Sequence, residues 1–184
     1  MKPRHLLFAA VASLPLAATA CPPPTSLTGS AIRQNFTETR SLTGLPTPLR
    51  STGQLVVTPG QVEWHTTTPF NIDTFITATG MTQSIDDGPA QQVATGNNGM
   101  DAQITGIVAS LMQGRWNDLR TMFQIIITQT NANQNWRVTL HPLDAKLAGF
   151  LGNITVEGCT GVTSFQLTQP NGDTELIAFT PAPP

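Results

Sequence analysis

The chain has 184 residues, only 11% of them charged, and a formal net charge of −2 at neutral pH. Its nine Lys and Arg residues form no cluster, which argues against a nucleic-acid-binding protein, because such proteins neutralise phosphates with basic side chains. Thr, Gln and Asn carry most of the polarity instead, and Thr favours β-structure. The length predicts a single, β-rich domain.

The first twenty residues have the pattern of a secretory signal peptide. Lys2 and Arg4 form a basic start, an apolar run extends from Leu6 to Leu16, and Ala18-Thr19-Ala20 is a small-residue cleavage site. The apolar run is too short to span a bilayer as a helix. We therefore expect an exported protein whose mature domain is residues 21–184, with seven basic and eleven acidic side chains and a net charge of −4.

The mature chain has two cysteines, Cys21 and Cys159. An even number in an oxidising compartment favours one disulfide between them. The alternative is that Cys21, directly after the cleavage site, is the acylated cysteine of a bacterial lipoprotein. Ala18 fits this less well, since bacterial lipoproteins usually carry Leu at that position. The oxidising compartment and the even number of cysteines favour the disulfide.

Strand patterns dominate the first half of the chain. A first strand is predicted over 35–43, and a hairpin over 49–69 turns at Thr58-Pro59-Gly60, because Pro59 presets φ and Gly60 accepts the left-handed conformation. Strict alternation after this turn puts Trp64 on one face and His65 on the other. Further strands are predicted over 71–80, 81–86 and 90–94.

The hydrophobic period then changes to that of a helix. Apolar residues recur at helical spacing from Met100 to Met112, and Gly114 is a suitable end. A second short helix is predicted with Asn117 as its N-cap and with Trp116, Leu119 and Phe123 on one side. This helical segment should cover the concave face of a strongly curved antiparallel sheet.

Strands return after the helices. The segments FQIIITQT, NWRVTLHP, NITVEGC, TSFQLTQ and DTELIAFT each have strand character, with one or two helical turns between Asp144 and Phe150. Trp136 lies in the second of these and repeats the pattern around Trp64. Two strands that each present a tryptophan to one face suggest a sheet that closes around its own core or around a guest.

No catalytic motif is present, and we expect neither an enzyme nor a cofactor or metal site. His65 and His141 each lie on the polar face of a strand with no second ligand nearby in sequence. Asp86 and Asp87 could form a carboxylate pair, but beside Gly88 they are better explained as turn formers.

The apolar residues of the sheet and helix are the candidate site. Each alone is better explained as ordinary core, but a methionine-rich helix over a curved sheet also suits a lid over an apolar cavity. The candidate lipid-binding residues are Leu55, Val57, Val62, Trp64, Ile76, Met100, Ile104, Ile107, Val108, Leu111, Met112, Trp136, Val138 and Leu140.

Several ordered motifs resemble those of the periplasmic outer-membrane lipoprotein carriers, the LolA-like proteins. They are F-x-E-x-R (Phe36, Glu38, Arg40), S-x-G-x-L (Ser51, Gly53, Leu55), V-E-W with T-x-P (Val62 to Trp64, Thr67, Pro69), W-x-V-x-L-x-P-x-D (Trp136, Val138, Leu140, Pro142, Asp144), Ile154-x-Val156-x-Gly158 and Gly172-Asp173-x-x-x-Ile177-x-Phe179. They span nearly the whole mature chain. The chain departs from the carriers at Thr58, where they have an arginine that helps hold the lid shut, and it resembles a divergent branch.

The resemblance implies an incomplete antiparallel β-barrel whose helices act as a lid over an apolar cavity. It further implies a monomeric periplasmic carrier, without a cofactor, that moves acylated lipoproteins or another lipid guest from an inner-membrane extractor to an outer-membrane acceptor. The alternative function is an outer-membrane-anchored acceptor or structural lipoprotein, lipidated at Cys21.

Overall fold

The computed structural model describes residues 21, 32–77, 79–95, 100–129 and 135–182. The predicted signal peptide, residues 1–20, lies outside this part of the chain. The strands are β1 (Ile32–Ser41), β2 (Leu49–Thr58), β3 (Gln61–Thr68), β4 (Ile72–Thr77), β5 (Gly80–Ile85), β6 (Gln91–Thr95), β7 (Phe123–Gln129), β8 (Trp136–Pro142), β9 (Asn153–Gly158), β10 (Val162–Thr168) and β11 (Thr174–Pro181). The helices are α1 (Met100–Met112), α2 (Trp116–Leu119) and α3 (Ala145–Leu151).

All the strands belong to one antiparallel sheet with the order β6-β5-β4-β3-β2-β1-β11-β10-β9-β8-β7. The first and last strands, β1 and β11, pair in the middle of the sheet, where Arg40 lies opposite Glu175. β6 and β7 are its two edges, so the sheet is not closed within the described residues. The predicted incomplete antiparallel barrel is confirmed.

Turn chemistry places the hairpins where the sequence predicts them. β2 and β3 are joined by Pro59 and Gly60, and Gly60 has a φ of 91° that favours glycine. Asp86 and Asp87 follow β5 with φ values of 48° and 58°, a conformation that Asp adopts more readily than most residues. Both carboxylates therefore belong to a turn.

Helix α1 has the bounds that its apolar period predicts, and Gly114 follows it with a φ of 65°. The helix packs against the sheet and contributes to two hydrophobic clusters. Ile107 and Leu111 belong to the cluster formed with β7 to β9, whereas Ala109 and Met112 belong to the cluster formed with β1 to β4 and β11. The helical cover over the sheet is thus confirmed.

The second helix differs from the prediction. It begins at Trp116 after Arg115, which makes no side-chain cap, so Asn117 lies inside the helix and not at its N-cap. Trp116 is buried and its ring meets that of Trp136 edge-on, with centroids 6.2 Å apart. Burial of this tryptophan outweighs the capping preference of Asn117. Phe123, predicted on the same helix, is the first residue of β7.

The third helix starts with a side-chain cap. The carboxylate of Asp144 accepts hydrogen bonds from the backbone N–H groups of Lys146 and Leu147, at 2.9 and 3.1 Å. These bonds satisfy two amides that have no partner within a helix. Leu147 and Leu151 then bury one side of α3 against the core.

A disulfide joins Cys21 to Cys159, with the Cα atoms 4.8 Å apart. It is the pairing that the parity and compartment arguments favour. The bond closes a loop of 138 residues and fixes Cys21 against the end of β9. By the chain-entropy argument, a loop of this length contributes up to about 4–5 kcal/mol of stability.

Candidate functional site

A cavity of about 590 Å³ lies between α1 and the concave face of the sheet. Ligand sites in proteins have volumes of about 300–1,000 Å³, so this space is large enough for a small guest. Its described lining consists of Glu38, Arg40, Leu49, Arg50, Ser51, Trp64, Thr66, Pro69, Phe70, Ile72, Thr74, Ile76, Gln83, Val108, Leu111, Met112, Phe165, Glu175 and Ile177.

The inner part of the cavity is apolar and ordered by aromatic contacts. The ring of Trp64 lies 4.7 Å from that of Phe36 and 6.3 Å from that of Phe179, measured between centroids. Such contacts hold the indole against β1 and β11, and part of it remains accessible from the cavity. Val108 and Met112 of α1 face the same space. These side chains form a surface suited to an apolar guest.

The outer part of the cavity ends at exposed apolar residues. Leu49 and Phe70 line it although they are 53% and 63% exposed. Leu49 begins β2, and Phe70 lies in the turn between β3 and β4, so both stand at one end of the sheet. The cavity therefore opens to solvent at this end.

Polar side chains interrupt the apolar lining near the opening. We call this set the polar belt; it crosses six neighbouring strands from β11 to β5 and comprises Glu38, Arg40, Ser51, Thr66, Thr74, Gln83 and Glu175. On β1 the concave face changes from the buried Phe36 to Glu38 and Arg40 at two-residue spacing. On β11 it changes in the same way from Phe179 and Ile177 to Glu175.

The belt is connected by hydrogen bonds. The Arg40 guanidinium donates to Glu38 at 2.8 Å and to Glu175 at 3.2 Å, and the Ser51 hydroxyl donates to the other oxygen of Glu38 at 2.7 Å. Further along the belt, the Gln83 amide donates to the Thr74 hydroxyl at 3.1 Å. Two carboxylates thus share one guanidinium.

Burial dominates the electrostatics of Glu175. It raises the pKa of this carboxyl by disfavouring its charged form, and the Arg40 charge and hydrogen bond oppose the rise while the charge of Glu38 adds to it. The resulting pKa lies above the ordinary value for glutamate. Arg40 therefore compensates only part of the cost of placing this carboxylate at the cavity wall.

The fourteen residues predicted to bind lipid divide into three groups. Five line the cavity: Trp64, Ile76, Val108, Leu111 and Met112. Seven lie in the packed clusters without lining it: Leu55, Val57, Val62, Ile107, Trp136, Val138 and Leu140. The side chains of the last two, Met100 and Ile104, lie outside the described part of the chain. Lipid binding by this set stays a prediction.

The sequence motifs contain only part of the polar belt. Glu38, Arg40 and Ser51 belong to motifs that resemble those of the carriers, whereas Thr66, Thr74, Gln83 and Glu175 match no motif. Strand alternation was the available signal, because Thr66 shares a face with Trp64, and Thr74 shares one with Ile76. Polar side chains that share a strand face with buried ones indicate a solvated region of an otherwise apolar face.

The histidines lie elsewhere. His65 bonds to Asp73 at 2.7 Å and to Glu63 at 3.2 Å, on the sheet face opposite Trp64, and His141 bonds to the Asn153 amide oxygen at 2.9 Å. Among the described residues, no group of three or more His, Cys, Asp or Glu side chains could hold a metal ion. None of the helices in that part of the chain is long and apolar enough to cross a membrane.

No family model and no curated protein sequence matches the chain. Solved structures with a similar fold include a LolA superfamily protein from Nitrosomonas europaea, with a TM-score of 0.43 and 5% identity over 85% of this chain and 88% of the other. They also include a candidate outer-membrane lipoprotein-sorting protein domain from Vibrio parahaemolyticus, with a TM-score of 0.40 and 8% identity over 85% and 87%. At these TM-scores and identities, the likeness carries no argument about this chain.

Proposed function

We propose that this protein is a carrier that binds the acyl chain of a lipoprotein or related lipid in the cavity under α1. The observation that supports the proposal is an open, largely apolar space of about 590 Å³ on the concave face of the sheet. Transfer of an acyl chain from water into such a space gains about 0.8 kcal/mol for each buried methylene. Because the cavity opens at one end of the sheet, a guest could enter and leave without unfolding of the packed clusters.

The proposed site of action is the periplasm, on the route to the outer membrane. A disulfide is stable in an oxidising compartment, and the Cys21–Cys159 bond supports export. An inner-membrane extractor and an outer-membrane acceptor would be the partners of such a carrier, which we propose acts as a monomer. Phe70 and Leu49, exposed at the mouth of the cavity, are suitably placed for guest exchange with them.

The alternative, a membrane-anchored lipoprotein acylated at Cys21, needs the Cys21 sulfur for a thioether. In the structure that sulfur is bonded to Cys159. One sulfur cannot carry both bonds, so the geometry favours the soluble carrier over the anchored acceptor.

Binding of a fluorescent acyl probe to wild type, Val108→Glu and Val93→Glu tests the carrier proposal. Val108 lines the cavity, whereas Val93 is exposed on the edge strand β6 and does not line it. A carboxylate at position 108 would lose hydration when the acyl chain enters, so the affinity for the probe should fall at least about tenfold. The same charge at position 93 should leave binding unchanged.

Thermal unfolding of the three proteins controls for folding defects. Absence of probe binding by folded wild type would remove the carrier proposal. Equal affinities of the two glutamate variants, with both folded, would place any bound probe outside this cavity.

A further inference from the structure

We propose that the polar belt is a headgroup site, and that the guest is an amphiphile whose headgroup donates hydrogen bonds and carries no negative charge. The inference rests on the proposed carrier function and specifies its substrate class. It starts from the position of the belt, where charged and hydrogen-bonding side chains share the concave face with the apolar wall of the cavity.

Structural ion pairing alone does not explain this arrangement. The Arg40–Glu175 ion pair joins the adjacent strands β1 and β11 and could stabilise the sheet. However, Thr66, Thr74 and Gln83 continue the polar surface across β3, β4 and β5, away from these charges. A concave face that only packed under a helix would carry apolar side chains at those positions. A polar surface across six strands matches an amphiphile whose chain lies inward and whose headgroup lies near the mouth.

A second cavity extends the site beyond the belt. It has a volume of about 310 Å³, shares Arg40 and Glu175 with the first, and is also lined by Leu42, Leu167, Gln169, Asp173 and Thr174. Arg40 and Glu175 therefore stand between an apolar space and a smaller, more polar one. The smaller, more polar cavity gives room for a headgroup beside the acyl chain of the guest.

The charges define the chemistry of that headgroup. Three carboxylates, from Glu38, Glu175 and Asp173, line the two cavities against the guanidinium groups of Arg40 and Arg50. Arg40 already bonds to two of the carboxylates, and the side chains of Glu38 and Glu175 are only 13% and 24% exposed. Arg50 lies near the start of β2, out of phase with Leu49 and Ser51. Beside Glu38 and Glu175, a phosphate or carboxylate would therefore face like charges at close range, at a cost that favours other ligands.

Both carboxylate oxygens of Glu38 and of Asp173 already accept a hydrogen bond within the protein, and Arg40 donates to one oxygen of Glu175. A carboxylate oxygen has two lone pairs, so a hydroxyl or ammonium donor would add a further hydrogen bond to these acceptors.

Displacement of the acyl probe by three amphiphiles with the same chain tests the inference. Palmitylamine presents an ammonium, monopalmitoylglycerol presents two neutral hydroxyls, and palmitate presents an anion; each is titrated below its aggregation concentration. The first two should bind at least about tenfold more tightly than palmitate. The ratio between palmitylamine and monopalmitoylglycerol shows whether charge or hydroxyl donation dominates.

Neutral variants test whether the belt causes the preference. Glu175→Gln and Glu38→Gln should each reduce the discrimination against palmitate severalfold, because each removes one like charge. Glu157→Gln is the matched control, since Glu157 also pairs with an arginine, Arg137, but on β9 outside both cavities. It should leave the discrimination at the wild-type value, and thermal unfolding confirms that each variant is folded.

The outcomes separate this inference from the carrier proposal. Equal displacement by all three amphiphiles, or tightest binding of palmitate, overturns the headgroup inference while the carrier proposal stands. A preference that Glu175→Gln and Glu38→Gln leave intact also overturns it. Displacement by none of the three, with no binding of the probe itself, removes the carrier proposal and the inference with it.

Discussion

Phe36, Glu38 and Arg40 stand at two-residue spacing on β1, so their side chains project from the same face of the sheet. Phe36 is buried against Trp64, whereas Arg40 reaches the mouth of the cavity. Partly buried ion pairs are a poor source of stability, because desolvation offsets most of their attraction. A small net contribution to stability agrees with the proposed role of Glu38 and Arg40 in headgroup binding.

His65 makes the stability of the fold depend on pH. Burial, the largest influence, lowers its pKa, but hydrogen bonds and charges from Asp73 and Glu63 together outweigh it and raise the pKa above the ordinary value. The folded state thus binds the proton more tightly than the unfolded chain. This contribution to stability is fully present below the pKa of histidine in the unfolded chain, about 6.5. It is lost as the pH rises through the higher pKa of His65 in the folded state.

Chemical denaturation between about pH 6 and about pH 8 measures this effect. Over this range the free energy of unfolding should fall more for wild type than for His65→Gln. The difference should be less than about 1 kcal/mol, because the contacts of His65 with Asp73 and Glu63 are partly solvated. His141→Gln is the matched control, since His141 bonds to the neutral amide of Asn153. A wild-type pH profile that matches the profile of His65→Gln would contradict this account.

Helix α1 contains a glycine that the packing does not need. Gly106 is exposed, and a Cβ added there would meet no atom within 4 Å. Gly106→Ala should therefore stabilise the protein by up to about 1 kcal/mol, because alanine has the higher helix propensity and a less flexible unfolded chain. Denaturant unfolding measures the change.

Gly53→Ala is the contrasting substitution on β2. A Cβ at position 53 would overlap the backbone carbonyl oxygen of His65 on the neighbouring strand, and it would lie 2.8 Å from the Phe36 ring. This variant should lose more than about 1 kcal/mol, since the strands would have to separate. If Gly106→Ala destabilised the protein, its helix position would be constrained in a way that the geometry does not show.

Local signals explain why most elements could be predicted. The Thr58-Pro59-Gly60 turn, the alternation around Trp64 and the apolar period of α1 each depend on residues close in sequence. Asn117 shows the limit, since its capping preference is local but the burial of Trp116 against Trp136 is not. Tertiary packing decided where α2 begins.

The site depends on contacts between distant parts of the chain that the sequence does not reveal. Arg40 meets Glu175 across 135 residues, because the first and last strands pair in the middle of the sheet. The sequence predicted a curved sheet and its helical cover, but it did not predict which apolar side chains remain accessible from the cavity. Val138 and Leu140 follow the same alternation as Trp64, yet they lie in the packed cluster, while Trp64 borders the cavity.

Native mass spectrometry of the protein isolated from its own cell envelope, without detergent, shows whether the protein carries a lipid guest. The carrier account predicts a complex of one chain with one non-covalent amphiphile, released on activation. It further predicts a polypeptide mass lower than that of the reduced mature chain by two hydrogen atoms, because Cys21 and Cys159 are joined. A spectrum with the ligand-free chain alone, or with acyl groups covalently attached at Cys21, would contradict the account.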